Sequence, residues 1–157
     1  MGELLARGSL TRDRRREVIQ ALAIERIPVR RIMVPREEVT PLSTARSVEE
    51  NFRTIGETGF VRYPLLDAAE EEFVGTIYVP TLFRHRRALE RGEATLDEVA
   101  APGVRVPADL PVSRLIDRLQ EERQEVALVE EEGRIVGLVT ITDAFEAIAG
   151  EVTDPFD

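Results

Sequence analysis

The sequence repeats itself. Phe73-Val-Gly-Thr-Ile-Tyr-Val-Pro-Thr-Leu-Phe83 aligns with Ile135-Val-Gly-Leu-Val-Thr-Ile-Thr-Asp-Ala-Phe145, with Gly75, Ile77 and Phe83 each 62 residues before Gly137, Val139 and Phe145. Upstream, Val48, Phe52 and Ile55 stand 64 residues before Val112, Ile116 and Leu119. The drift of two falls between helix and strands, where length changes are tolerated. An internal repeat binds the fold tightly, because both halves must build the same unit. A unit of about 60 residues buries little apolar surface alone. The two halves should therefore pack sheet to sheet and share a core.

Each half reads as strand, helix, strand, strand, helix. In the first half a short strand is expected near Glu38–Thr40. Ser47-Val-Glu-Glu50 has the pattern of a capping box, with Val48, Phe52 and Ile55 as the apolar stripe of the helix and Gly59 as its stop. Phe60–Leu66 and Phe73–Val79 are rich in β-branched and aromatic residues and flank the acidic turn Asp67–Glu72, so they read as strands. A charged helical stretch from Arg84 to Arg91, stopped at Gly92, closes the half. In the second half, Val104–Val106 opens as a strand after the turn Ala101-Pro102-Gly103. Asp109 is the expected helix cap, with Pro111 in the first turn. Val126–Val129 and Arg134–Thr140 are strands, and a last helix runs from about Thr142 to Gly150. The expected division is a basic helical arm over 1–31, a first repeat with its linker helix over 32–98, and a second repeat over 99–157.

Charge divides the chain further. Residues 1–36 hold nine Arg and four acids, a net of +5, and the remainder holds twelve Arg and 26 acids, a net of −14. Thr11 can cap a helix in this arm, although Arg12, Arg14, Arg15 and Arg16 crowd the end where the helix dipole disfavours cations. The Arg run is either a solvated face or a contact with an anionic surface such as a membrane. No aromatic residues interleave with it, and the body is acidic, so nucleic acid is not an expected partner.

The residue inventory excludes whole reaction classes. All 21 basic residues are Arg, and there is no Cys and only one His. Schiff-base chemistry, a phosphate-loop Lys, thiol nucleophiles and multi-His metal sites are therefore unavailable. His85 reads as a solvated helix position, and Glu130–Glu132 reads as a polar turn or a weak divalent-ion site. No nucleophile–base pair stands out, and no enzyme is expected. Hydrophobic content of 43% with 32% charged residues suits a globular domain, and no stretch approaches the roughly 18 apolar residues of a membrane span.

The segment that carries chemistry is Gly137-Leu-Val-Thr140-Ile-Thr142-Asp143. A strand delivers Thr140, and a helix begins within three residues. Free helix N–H groups and the Thr140 and Thr142 hydroxyls suit a phosphate. The Asp143 carboxylate can accept both protons of a ribose diol. Alternatively, Thr142 or Asp143 simply caps the helix.

This ending, on a unit that occurs twice, resembles a tandem pair of cystathionine-β-synthase (CBS) domains, a Bateman module. More narrowly the chain is similar to the CBS pair of the CorC/HlyC and cyclin M family of magnesium-transport proteins. Arg31-Ile-Met-Val-Pro-Arg36, Val61-Arg-Tyr-Pro64, Val74-Gly-Thr-Ile-Tyr78, Ala127-Leu-Val129, Gly137 to Asp143 and Phe145 to Glu151 carry the resemblance, which covers residues 17–157. It implies an α+β fold of two repeats related by pseudo-twofold symmetry, following an N-terminal helix, and usually dimerised into a flat disc. It implies AMP, ADP or ATP as ligand, with or without Mg²⁺, in clefts between the repeats. It also implies a linked or associated membrane transport domain, with this module at the cytoplasmic face and the basic arm just below the membrane. By the same resemblance, Asp143 holds the ribose and Thr140 the phosphate or ribose edge. Thr40, Val61 and Arg62 line the base and phosphate side, with Arg62 the natural phosphate partner. In the first repeat Tyr78 stands in place of Thr140 and Thr81 in place of Asp143. One competent nucleotide site and one degenerate site are expected, the latter with Arg105 beside it and with Tyr78 either stacking on a base or filling core. The other reading is a structural dimerisation module with vestigial clefts.

Overall fold

The computed structural model describes residues 14–15 and 26–153. Most of the expected arm helix over 1–31 lies outside them, although Arg14, Arg15 and Arg26 are helical. The chain then runs through a 3-10 turn (Val29–Arg31), strand β1 (Val34–Pro35), a second 3-10 turn (Arg36–Glu38), β2 (Leu42–Ser43), helix α1 (Val48–Thr58), β3 (Arg62–Leu66) and β4 (Phe73–Tyr78). Helices α2 (Val79–Arg84), α3 (Arg86–Glu90) and α4 (Leu96–Val99) follow. The second half comprises β5 (Val104–Pro107), α5 (Val112–Glu121), β6 (Val126–Glu131), β7 (Arg134–Thr140) and α6 (Ile141–Thr153).

Two mixed sheets result, ordered β2-β3-β4 and β1-β7-β6-β5. In each, the opening strand of the repeat lies parallel to the next strand, which pairs antiparallel with the last. The repeat is visible in single hydrogen bonds. Val79 N–H donates to the Val61 carbonyl and Ile141 N–H to the Glu125 carbonyl, both at 2.9 Å. Register shifts by one at Leu65/Leu66 and again at Val129/Glu130, which are equivalent positions.

Each repeat's leader crosses to the other repeat. Ala101, just before β5, exchanges two backbone hydrogen bonds of 2.9 Å with Thr76 of β4. At the equivalent place, Val34 of β1 pairs with Leu138 of β7. Both crossings need a glycine beside them. A Cβ on Gly75 would collide with the Ala101 carbonyl oxygen, and one on Gly137 would lie 2.6 Å from the Val34 carbonyl oxygen and from Met33 Sδ. Residues that open the first repeat in sequence thus belong in space to the second sheet. Ile27 and Val29 are likewise buried in the second core.

This crossing explains two differences from expectation. No strand forms at Glu38–Thr40: Glu38 ends a 3-10 turn, Val39 and Thr40 belong to no regular element, and the strand lies at Leu42–Ser43. The turn is held from outside. Arg36 donates to the carbonyls of Ile135 and Glu71, and its guanidinium lies over the Phe73 ring. Leu42, fully buried opposite Leu65, then fixes the strand register. Helix α5 is capped not by Asp109 but starts after Pro111, with no side-chain cap. Its Val112 N–H donates to the Ile27 carbonyl at 2.9 Å, so a distant backbone supplies the acceptor a capping side chain would have given.

The core has three parts. Leu42, Ile55, Tyr63, Leu65, Ile77 and Leu82 fill the first repeat, and Val104, Val106, Val112, Leu115, Leu119 and Val139 fill the second. Leu66, Phe73, Leu128 and Ile135 form a smaller cluster in which the two sheets meet. The shared core is real but is the smallest of the three. Helix α1 follows its sequence signals: Ser47 Oγ accepts from Glu50 N–H at 3.1 Å, and Gly59 closes it at φ 73°. The buried Asn51 ties this helix to β2. Its Oδ1 accepts from Ser43 N–H at 3.0 Å, and its Nδ2 donates to the Ser43 carbonyl at 2.9 Å. Asn51→Ala orphans the Ser43 N–H, while the Ser43 carbonyl keeps Arg46 N–H at 3.3 Å. The change should cost about 1–3 kcal/mol, read as a lower urea midpoint at unchanged slope.

Candidate functional site

Strand β4 ends where α2 begins and β7 ends where α6 begins, and a cleft flanks the first of these junctions. The first cleft has a volume of about 220 Å³. The end of β4 and Thr81 line one side, the leader Val99–Ala101 another, and Gln124–Val126 with Arg62 the third. Tyr78 is exposed by 43% here. The Arg62 guanidinium lies 4.7 Å from the centroid of its ring, a cation–π distance. The same guanidinium forms an ion pair of 2.7 Å with Glu125. Thr81 Oγ accepts from Arg84 at 3.2 Å. Tyr78, Thr81 and Arg62 therefore meet in one place, although Arg62 was expected chiefly with Thr140 and Asp143. Arg105 is not part of this lining. It donates to the Phe73 carbonyl at 2.9 Å and pairs with Glu130 at 3.5 Å, bracing the junction between the sheets.

At the second junction Thr140 and Asp143 grip each other's backbone. Thr140 N–H donates to Asp143 Oδ2 at 3.1 Å, and Asp143 N–H donates to Thr140 Oγ1 at 3.0 Å. This is a reciprocal cap, so the capping reading of the motif is correct in the structure as it stands. The cap consumes one carboxylate oxygen. Among the described residues Asp143 Oδ1 has no hydrogen-bond partner, and both side chains are half-buried at the mouth of α6. Thr142 is exposed on the first turn of the same helix.

The repeat correspondence carries the first cleft onto the second. Thr76–Tyr78 becomes Leu138–Thr140, Thr81 becomes Asp143, and Gln124–Val126 becomes Phe60–Arg62. By that correspondence Val61, which is 50% exposed, and Arg62 would face Thr140 and Asp143. Among the described residues, however, the Arg62 side chain meets Tyr78 and Glu125 instead and makes no hydrogen bond or ion pair with Thr140 or Asp143. The leader Val99–Ala101 becomes Ile32–Val34, since Ala101 bridges Thr76 as Val34 pairs with Leu138. Sequence reasoning missed this leader and named Thr40 instead. Thr40 is half-buried two residues before β2 and makes no hydrogen bond to Thr140 or Asp143. The available signal was Gly137, whose bare Cα admits the leader.

Residues 96–150 match the family model of the CBS domain. Two CBS-like repeats packed about a pseudo-twofold make this a CBS-domain protein. The chain is 31% identical to the UPF0053 protein YugS of Bacillus subtilis over 159 residues, spanning all of this chain and 36% of that protein. It is 31% identical to the magnesium and cobalt efflux protein CorC of Pasteurella multocida over 144 residues, spanning 90% of this chain and 48% of CorC. The chain thus spans a third to a half of the curated relatives it matches. The solved CBS domain of the bacterial CNNM/CorC family Mg²⁺ transporter in complex with ATP superposes with a TM-score of 0.76 at 26% identity, covering 88% of this chain and 98% of that one. The chain holds a CBS domain over residues 96–150 and is similar along its length to the CBS domains of the CorC/CNNM family.

Proposed function

We propose that this chain is a regulatory module that binds an adenine nucleotide in the cleft at the β7–α6 junction. The observation that carries this reading is the Asp143 carboxylate, fixed by its bond to Thr140 N–H, with no donor to its second oxygen among the described residues. A carboxylate so placed accepts a ribose diol through charge-assisted hydrogen bonds. The Ile141 and Asp143 N–H groups are taken by the Glu125 carbonyl and Thr140 Oγ1, so the hydroxyls of Thr140 and Thr142 are the donors this helix start offers a phosphate. By the repeat correspondence Val61 and Arg62 face this junction, and Arg62 would supply the cation. The ATP complex of the related CBS domain supports the ligand class. In the first cleft Thr81 replaces the carboxylate, and Tyr78 and the paired Arg62 leave no diol acceptor but Glu125, so we assign it as the degenerate site.

Occupancy would shift the packing of the two repeats or of two subunits, and a linked transport domain at the cytoplasmic face of a membrane would read the shift. A coupling of about 1–3 kcal/mol is the expected scale. No described helix is long and apolar enough to cross a membrane, so that domain would be supplied by another part of the protein or another chain. Phe83 and Phe145 occupy equivalent positions on α2 and α6, both about half exposed, which supports a symmetric homodimer through these helices. Among the described residues no group of acidic or His side chains could hold a metal ion, so an accompanying Mg²⁺ would ride on the phosphates.

Isothermal calorimetry with ATP, ADP and AMP, each with and without Mg²⁺, tests the reading. Saturable binding at one site per chain is expected. Silent titrations from a protein that sediments as a dimer would favour the vestigial-cleft reading, which the missing carboxylate at Thr81 supports for the first cleft.

A further inference from the structure

We infer that Glu125 is a built-in competitor for the nucleotide phosphate, holding Arg62 until a ligand displaces it. The inference rests on the nucleotide reading and names a regulation of that site. Arg62 opens β3 in the first repeat, and Glu125 immediately precedes β6 in the second. Their side chains meet at 2.7 Å across the boundary between the two repeats. Glu125 is anchored by its own backbone: its carbonyl accepts Ile141 N–H, one residue from Thr140. The guanidinium is held on its other face by the Tyr78 ring. It is thus parked in the first cleft, while the repeat correspondence sets the same residue opposite Thr140 and Asp143. A phosphate bound there meets an Arg already engaged by a carboxylate.

The pair is built to yield. The Arg62 side chain is 32% exposed and that of Glu125 57%, so water screens the attraction. Such pairs are weak. A phosphate carries more charge than a carboxylate and presents several acceptor oxygens to the planar guanidinium. Ligand would therefore win Arg62 and leave Glu125 in the first cleft with its charge uncompensated. The contact between the repeats would open as the nucleotide cleft fills, which gives occupancy a mechanical consequence at the pseudo-twofold.

ATP calorimetry on the native chain, Glu125→Gln, Arg62→Ala and the double variant tests this. Glu125→Gln should bind ATP about two- to fivefold more tightly, the fold-change expected for removing a weak exposed pair. Arg62→Ala should bind roughly tenfold or more weakly. In the Arg62→Ala background the Gln substitution should have no further effect. Thermal melts within a few degrees of native should show that both variants fold. Unchanged affinity in Glu125→Gln, with native binding intact, overturns this inference and leaves the nucleotide reading standing. Equal tightening in both backgrounds also overturns it, because Glu125 would then act as a bulk charge. Silence from all four proteins overturns both readings, whereas binding by Glu125→Gln alone supports the competitor in its strongest form.

Discussion

Asp143→Ala is expected to weaken ATP binding by about ten- to a hundredfold, the range for losing charge-assisted hydrogen bonds of roughly 1.5–3 kcal/mol. The side chain has two tasks, and they separate by oxygen. Oδ2 accepts Thr140 N–H and helps start α6. Oδ1 meets no donor among the described residues and is the oxygen available to a ribose. Truncation to Ala removes both, so it should also lower stability by about 1 kcal/mol, the usual worth of a helix cap. Asp143→Asn discriminates between the tasks. Its amide oxygen can keep the Thr140 bond, so the melt should stay near native, while loss of charge should still cost most of the affinity. A ligand-induced melting shift gives a second readout. At a hundredfold excess over Kd, ATP should stabilise the native protein by about 2.7 kcal/mol and either variant by much less. Equal affinity in native and Asn proteins would move the ribose elsewhere.

Gly75→Ala should be the most damaging single methyl in the chain. The new Cβ would collide with the Ala101 carbonyl oxygen and sit 3.4 Å from the Ala100 Cβ. Backbone atoms cannot swing away as a side-chain tip can. The leader of the second repeat must therefore lift from β4, losing the paired Thr76–Ala101 hydrogen bonds. Overpacking of about 1–3 kcal/mol with those bonds weakened predicts a loss of about 3 kcal/mol. For a chain of this size that lowers the melting temperature by roughly 6–12 °C. The control is Gly56→Ala within α1, where nothing lies within 4 Å of the added methyl. There the change should stabilise by about 0.5–1 kcal/mol, because Ala is the better helix former. A Gly75→Ala protein as stable as native would show that the leader is loosely held, and with it the wall of the first cleft.

The elements legible in the sequence were those whose signals are local. Ser47 and Gly59 bound α1 as their types demand, and the stripe Val48, Phe52 and Ile55 packs on the first core. The strand pairs around Asp67–Glu72 and around Glu130–Gly133 follow from β-branched runs broken by polar turns. The misread elements were those whose partners are distant. Nothing near Glu38 announces that Arg36 will reach Ile135, and nothing near Asp109 announces that Ile27 will supply the acceptor for α5. The motif Thr140-Ile-Thr-Asp143 was found because strand end, helix start and carboxylate lie within four residues. The Ile32–Val34 leader and the Arg62–Glu125 pair were missed because contacts between the repeats, not neighbours in the chain, create them.

The sequence by itself determined the repeat, the alternation of elements within it and the asymmetry between Asp143 and Thr81, since each depends on residue type at short spacing. Only the tertiary structure decided which leader covers which sheet and where Arg62 rests. Those are contacts between repeats, fixed by the room that Gly75 and Gly137 leave and by which carboxylate stands closest to a guanidinium, and neither has a local signature in the chain.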